Sequence, residues 1–383
     1  MPRWPLACLL VTTYANADPI TDRDYAIELY EGVAIGDNAQ VGMGGAGAAV
    51  IGGSAGALLD PAAPAVRLTT DNDRWSVDYH LAALSGRFST DYDNNGAISD
   101  VDSGASLLTL GLALRVGDWA GAVTATVQTA PVDGSAPAID AQSARIKLVL
   151  ARYFHRWDLA VGLGLQTVQF QLAPSGGGAE MFRITGTAGV VGLTWLPRDD
   201  DWRVSLAIES PIIGGTVATA TCDPMNCQGY ILPERVESAG RTIIGTAYRF
   251  APTAWNHQVA TKFRDERALI VAADLVITGT STDGNGVEAF GMQELQPSGR
   301  AVSISLRGGG ELEALPGRLR VRAGSYWEPG RFEGVSGRIH GTFGVDVRAL
   351  ELDVWGLRRG RFSAFTDLAP RYRNIGVSVG FWH

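Results

Sequence analysis

The chain ends in NIGVSVGFWH, residues 374–383, and the polarity of this stretch alternates at every position up to Phe381. Apolar side chains occupy the odd positions 375–381, and small or polar residues occupy the even positions 374–380. Side chains of a β-strand point to opposite faces in turn, so a period of two predicts a strand with one apolar and one polar face. The aromatic pair Phe381 and Trp382 closes this strand, and His383 follows it.

The same alternation recurs from Trp75 onward in segments separated by turns, most clearly at residues 119–130, 202–209, 269–278 and 339–348. A soluble sandwich would alternate in the same way. Three features favour a transmembrane barrel instead: the segments approach the roughly 9–11 residues that cross a bilayer at a tilt, aromatic residues gather at their ends, and short and long links alternate. A terminal strand with an aromatic ending is also common in bacterial outer-membrane barrels. The fold class predicted is therefore all-β, a transmembrane antiparallel barrel.

We count about fourteen strands, an even number that returns the last strand to the side where the first began. The last long link is predicted at 361–370, after a strand that starts near residue 349. The least regular part is a long link at 251–267, which lies on the short-link side. The predicted strands begin near residues 73, 106, 119, 143, 157, 181, 202, 239, 268, 300, 318, 338, 349 and 371.

Composition and the chain ends narrow the class of protein further. The net charge is −8 and no basic run is present, which argues against a nucleic-acid partner. An apolar run at 6–11 precedes Ala15-Asn16-Ala17, a cleavage pattern that predicts a signal peptide at 1–17. Cys8 would leave with it, and Cys222 and Cys227 are then expected to form a small loop disulfide.

An uncharged glycine-rich tract, VGMGGAGAAVIGGSAGALL at 41–59, stands before the first strand. Its glycines disfavour a transmembrane helix. Its GxGxxG match lacks the strand that precedes a dinucleotide loop, and Gly52-x-Ser54-x-Gly56 lacks the frame of a nucleophile elbow. The remaining interpretation is a compact, backbone-rich segment that fills a confined space.

Two parts of this region, Gly42–Ala49 and Asp60-Pro61-Ala62, precede the barrel in an order that resembles the FadL-type transporters of long-chain fatty acids and hydrocarbons. Residues 232–250 and 322–329 are similar to the same family. The resemblance implies that an N-terminal hatch, residues 18–70, folds inside a barrel formed by residues 71–383. The hatch residues taken from it are Gly42, Gly44, Gly45, Gly47, Asp60, Pro61 and Ala62.

The function that this resemblance implies is passive transport of small hydrophobic molecules, such as long-chain fatty acids, across the bacterial outer membrane. Arg320 and Arg322 are candidates for pairing with a fatty-acid carboxylate, although mixed lumenal charge more often braces a barrel wall. Expected partners are outer-membrane lipids, the hydrophobic ligand and the barrel-assembly machinery, with a monomeric chain. The alternatives are a non-transporting scaffold or secretion partner and, second, a barrel enzyme, which the scattered histidines do not favour.

One local motif is sharper than the rest. Residues 91–102, DYDNNGAISDVD, match the D-x-[DN]-x-[DN]-G pattern of calcium loops, with an acid at position twelve. Such a loop supplies the oxygens that Ca²⁺ requires, and a solvated Asp/Asn-rich loop is the alternative. The predicted structural calcium ligands are Asp91, Asp93, Asn95, the carbonyl of Ala97, and Asp102.

Overall fold

The computed structural model describes residues 18–66, 73–85, 91, 93–96, 106–132, 138–175, 177–217, 222–259, 261, 263–353 and 357–382. The predicted signal peptide, residues 67–70 of the predicted hatch, Ala97 and Asp102 lie outside these residues.

Fourteen antiparallel strands form one closed barrel, in which each strand pairs with the next and β14 pairs with β1. The strands are β1 (Trp75–Ser85), β2 (Ser106–Val116), β3 (Trp119–Val132), β4 (Ile139–Phe154), β5 (Leu159–Pro174), β6 (Phe182–Trp195), β7 (Trp202–Glu209), β8 (Arg241–Phe250), β9 (Leu269–Thr278), β10 (Ser303–Leu315), β11 (Leu319–Glu328), β12 (Arg338–Asp353), β13 (Leu357–Ala369) and β14 (Tyr372–Phe381). The predicted strand number is confirmed.

The barrel has an apolar outer face and a largely polar inner face. In β2, exposed and buried residues alternate without interruption, and Leu112 on the outside is 57% exposed whereas Thr109 on the inside is 0% exposed. This is the reverse of a soluble protein, and it is the arrangement expected when lipid surrounds the barrel. Large exposed aromatic side chains also lie at strand ends, among them Trp75, Trp119 and Trp195.

Links after even-numbered strands are short, apart from 251–268, and links after odd-numbered strands are mostly long. The predicted long link at 361–370 is wrong, as is the strand start near 349. β12 continues through a bulge at Arg348/Leu350 to Asp353, and β13 turns into β14 through residues 370 and 371 alone. The polarity of this segment resembles that of a loop because it contains Arg361, Ser363 and Asp367. These side chains face the polar lumen: Ser363 and Asp367 are fully buried, and Arg361 reaches a buried carboxylate.

Residues 18–66 pass through the barrel from the long-link end to the short-link end, and we call this segment the plug. It contains helices α1 (Asn38–Gly42) and α2 (Gly53–Gly56) and a 3₁₀ turn at Ala63–Ala65. No residue between 32 and 66 is exposed. Near its end, Ala62, Ala65 and Val66 pack on Ala120 and Ala160, which lie at the short-link ends of β3 and β5.

At the long-link end the plug joins the loops. The short strand Ala26–Glu28 pairs in parallel with Arg235–Ser238 on one side and with Gly284–Asn285 on the other, and Ile212–Ile213 completes this four-stranded sheet. Asp18–Pro19 pairs with Glu294–Leu295. A third helix, α3 (Val287–Gly291), lies beside this sheet.

An apolar cluster under these loops includes Tyr230, Leu232 and Phe290, which are fully buried. The predicted disulfide is confirmed: Cys222 and Cys227 are joined, with 5.1 Å between their Cα atoms. Among the described residues, no helix is long and apolar enough to cross a membrane.

Candidate functional site

The backbone of the plug touches the backbone of the barrel wall at Met43 and Gly44. A Cβ atom on Gly309 would lie 2.3 Å from the carbonyl oxygen of Met43, and one on Gly324 would lie 2.3 Å from its carbonyl carbon. Gly44 has a φ of +64°, and its amide donates to Thr342 Oγ1 at 2.9 Å. Glycine on both surfaces therefore permits a contact that any side chain would prevent.

Helix α1 of the plug is held by charge as well as by shape. Asp37 caps the helix, with Oδ1 accepting from the amide of Ala39 at 2.8 Å, while Oδ2 pairs with Arg361 of β13 at 2.5 Å. Asn38 donates to the carboxylate of Asp346 in β12. Farther along, Asp274 of β9 accepts from the amides of Gly47 and Ala48, both at 3.0 Å.

The Asp60-Pro61-Ala62 turn makes the second close contact with the wall. A Cβ on Gly162 would lie 2.1 Å from the Pro61 carbonyl oxygen, and one on Gly192 would lie 1.9 Å from Asp60 Oδ1. Asp60 is fully buried, accepts from the amide of Ala62 at 2.8 Å, and also accepts from the hydroxyl of Thr194.

Sequence reasoning missed the wall glycines that receive the plug. The residues predicted for the hatch do lie against the wall, but their partners are Gly162, Gly192, Gly309 and Gly324. An inward-facing glycine inside a strand is the signal that was available, because it marks a site where another backbone approaches closely.

Arg320 and Arg322 lie in an ion-pair network of the wall. Arg322 is buried, with Asp346 Oδ2 at 2.7 Å and Glu311 Oε2 at 2.5 Å. Arg320 reaches Glu313 at 3.2 Å and lies over the ring of Trp382. Ligand binding by these two arginines stays a prediction, and neither of them lines the two cavities described next.

Two adjoining cavities lie between the plug and the wall, and Leu29, Tyr30, Glu31 and Arg145 line both of them. The outer cavity, of about 480 Å³ including its open part, lies toward the long-link end. The inner cavity, of about 850 Å³ including its open part, lies deeper in the barrel. The outer cavity is further lined by Glu28, Asp93, Gln128, Ala130, Ala141, Ser143, Phe170 and Val287.

The inner cavity carries more positive than negative side chains. Four cations line it, Arg145, Lys147, Arg241 and Arg307, against the carboxylates Glu31 and Glu209. Glu209 binds Lys147 at 2.6 Å and Arg241 at 2.9 Å, and Glu31 binds Arg145 at 2.7 Å.

Arg307 differs from the other three cations. Among the described residues no carboxylate lies within 4.0 Å of it, and its hydrogen bonds go to the carbonyl of Gly32 at 3.2 Å and to Ser305 Oγ at 3.4 Å. It is 6% exposed. A buried guanidinium without a carboxylate at the edge of a cavity suits an anionic group of a ligand.

The serine of the Gly52-x-Ser54-x-Gly56 match lies near a histidine and an acid. Ser54 Oγ donates to Asp78 Oδ2 at 2.7 Å, and His80 Nδ1 lies 3.0 Å from the same hydroxyl. In nucleophilic catalysis the carboxylate orients the histidine, and the histidine receives the serine proton. Here the carboxylate binds the serine directly, so this cluster anchors α2 to β1 and does not form a catalytic triad.

The predicted calcium loop is described at residues 91 and 93–96. Asp91, Asp93 and Glu288 bring carboxylate oxygens within 4.8 Å of one another, and Glu288 belongs to α3. Burial raises the pKa of Asp93 to about 7, against the opposing effect of hydrogen bonds from Glu288 and Asn95. Burial also raises the pKa of Asp91, although Arg338 and Arg371 oppose this shift.

No family model and no curated protein matches the chain. Solved structures match over nearly its whole length. The CymD monoaromatic hydrocarbon channel has a TM-score of 0.58 and 15% identity, and the match covers 92% of this chain and 97% of CymD. The toluene transporter TodX of Pseudomonas putida (TM-score 0.58, 14% identity) and a FadL homologue of Pseudomonas aeruginosa (TM-score 0.51, 12% identity) each match 92% of this chain and 98% of their own. The chain has the FadL-type fold.

The exposed leucines on the outer face of this barrel form the apolar surface that contacts lipid in a transmembrane barrel. The outer cavity and the sheet around Ala26–Glu28 lie at the long-link end, and in outer-membrane barrels the longer loops are the extracellular ones.

Proposed function

We propose that this barrel is a passive, plug-gated transporter of small hydrophobic molecules across the outer membrane, and that its preferred ligands are amphipathic acids such as long-chain fatty acids. The ligand would enter from the extracellular side, occupy the outer cavity, and place its acid group in the inner cavity. Movement of the plug away from the wall would then release it.

The observation that carries this proposal is the order of the two cavities. Ala130, Ala141 and Phe170 give the outer cavity apolar walls, whereas the inner cavity has an excess of two cations over carboxylates. Arg145, which lines both cavities, pairs with Glu31 of the plug at 2.7 Å, so a competing ligand carboxylate would weaken a contact between plug and wall.

Arg307 is the residue that we expect to bind the acid group. A hydrogen bond to a charged group contributes roughly 1.5–3 kcal/mol, and 1.4 kcal/mol corresponds to a tenfold change in affinity. We therefore expect Arg307→Gln to lower uptake of labelled oleate by about tenfold while leaving uptake of toluene unchanged. Arg307→Lys, which keeps the charge, should retain most of the oleate uptake.

The uptake assay uses cells that lack their own transporter and carry this chain or a variant. Heat-dependent gel mobility first establishes that each variant forms the barrel. Arg300→Gln is the matched control, because Arg300 is 71% exposed outside the barrel wall. Oleate uptake that equals uptake with an empty vector would overturn the proposed transport, and equal loss of oleate and toluene uptake in Arg307→Gln would overturn the role of this arginine.

Neutral aromatic hydrocarbons are the second candidate class. The apolar lining of the outer cavity favours them, as does the likeness in fold to CymD, a monoaromatic hydrocarbon channel, and to TodX, a toluene transporter. Faster uptake of toluene than of oleate, with no effect of Arg307→Gln on either, would select this class.

A further inference from the structure

We propose that Asp91, Asp93 and Glu288 bind a calcium ion that joins two extracellular loops at the mouth of the outer cavity. This site differs from the contiguous loop that the sequence predicts, because one ligand comes from α3, far away in the chain.

The spacing of the three carboxylates suits a calcium ion. Their ligand oxygens lie within 4.8 Å of one another. Two oxygens that share one Ca²⁺ at 2.3–2.6 Å from the ion lie at most about 5 Å apart. The two segments that carry these carboxylates already lie against each other. The amide of Glu288 donates to Asp93 Oδ2 at 3.5 Å, and a Cβ on Gly286 would lie 2.8 Å from that same oxygen.

Buried oxygens without hydrogen-bond partners are the second observation. Asp91 Oδ1 and Asp93 Oδ1 have no partner among the described residues, although Asp91 is 0% and Asp93 is 7% exposed. The side chain of Asn94, between them in the sequence, is fully buried, and neither its oxygen nor its nitrogen is hydrogen-bonded within the described part of the chain. Burying unpaired carboxylate oxygens is costly, and a bound cation would offset that cost.

The charges facing the cluster leave room for a cation. Arg371 Nε pairs with Asp91 Oδ2 at 2.9 Å, which leaves Oδ1 to the cluster. Arg338 Nη1 donates to the Asp91 carbonyl at 2.8 Å, and its guanidinium is paired with Glu328 at 2.5 Å.

The position of the cluster gives the ion a structural role. Asp93 and Val287, the neighbour of Glu288, both line the outer cavity. A calcium ion held by Asp93 and Glu288 would fix the 91–96 segment to α3 and so fix the shape of the cavity mouth. The ion would act on the entrance and not on the acid-binding part of the inner cavity.

Calorimetry on the full barrel in detergent, stripped of metal with a chelator and titrated with CaCl₂, tests the site. We expect one ion per chain. Glu288→Gln should raise the Kd for calcium at least tenfold, as should Asp93→Asn, whereas Glu294→Gln, an exposed acid of the same loop, should not change it. Glu288 is half-buried, so we expect Glu288→Gln to keep the fold even where Asp93→Asn does not.

Two results would overturn the proposal. One is the absence of calcium binding by the wild-type barrel, in which case the carboxylates share protons. The other is wild-type affinity in Glu288→Gln together with weak binding in Asp93→Asn, which would assign the ion to the 91–102 loop alone. Heat-dependent gel mobility of each variant establishes that the barrel is intact before titration.

Discussion

Gly192 of β6 is a single residue whose lack of a side chain allows the plug to lie against the barrel wall. A Cβ at this position would lie 1.9 Å from Asp60 Oδ1 and 2.8 Å from the Ala62 amide. Overpacking of this kind costs about 1–3 kcal/mol, and the plug, which has no covalent tie to β6, is the part free to yield. We expect Gly192→Ala to increase the conductance of the barrel in planar bilayers.

The matched control for this substitution lies three residues away in the same strand. A Cβ on Gly189 would meet nothing within 4 Å, so Gly189→Ala changes strand propensity equally without touching the plug. Its conductance should equal that of the wild type. If Gly192→Ala and Gly189→Ala conduct alike, Asp60-Pro61-Ala62 does not close the barrel at β6.

At the scale of an element, helix α1 depends on Asp37. This residue caps the helix and pairs with Arg361, so Asp37→Ala removes a cap worth about 1 kcal/mol and also leaves Arg361 with less compensation. We expect faster amide hydrogen exchange at residues 38–44 in this variant, measured by mass spectrometry, with exchange in β12 and β13 unchanged.

Asp37→Asn separates the two contributions of that side chain. Asparagine caps helices about as well as aspartate, but it carries no charge for Arg361. Exchange at 38–44 that lies between wild type and Asp37→Ala would assign part of the stability to each contact. Exchange that stays at the wild-type rate in Asp37→Ala would contradict an anchoring role for α1.

The sequence correctly predicts the strands in which apolar residues on the lipid face alternate with small or polar residues on the lumenal face. β2 and β14 alternate cleanly because lipid and lumen impose opposite demands on successive residues. β13 was misread because Arg361, Ser363 and Asp367, which face a polar lumen, resemble a solvated loop. Polarity alone does not distinguish these environments, since only the partners Asp37 and Asp346 show that Arg361 is inside.

The candidate site was less accessible to sequence reasoning than the fold. The glycine-rich tract indicated a confined backbone, but the contact of Gly44 or Asp60 with particular wall glycines depends on how the plug sits in the barrel. In the sequence, Arg307 does not differ from the other charged residues that face the lumen. That no carboxylate of the described residues lies near it is a property of tertiary packing. Glu288 lacked any motif, because the acids that it joins lie far away in the chain.

At the scale of the whole molecule, the wall is built to stand without the plug. Hydrogen bonds between β14 and β1 close the sheet on itself. Each barrel strand therefore pairs with two other barrel strands and does not need residues 18–66 as a hydrogen-bonding partner along its edge. The main lumenal charges also pair within the wall: Arg322 with Glu311 and Asp346, and Lys147 and Arg241 with Glu209. Within the described part of the chain, fewer ion pairs cross between plug and wall; Asp37 with Arg361 is one of them.

Deletion of residues 18–66 is therefore expected to leave a folded barrel that is open. Residues 32–66, none of which is exposed, fill the lumen, and their removal exposes polar walls that water readily enters. The deleted chain should retain heat-dependent gel mobility and should form stable channels in planar bilayers, with a conductance well above that of the intact chain. Channels no larger than those of the intact chain, from a barrel shown to be folded, would mean that the loops at the long-link end and not the plug close the pore.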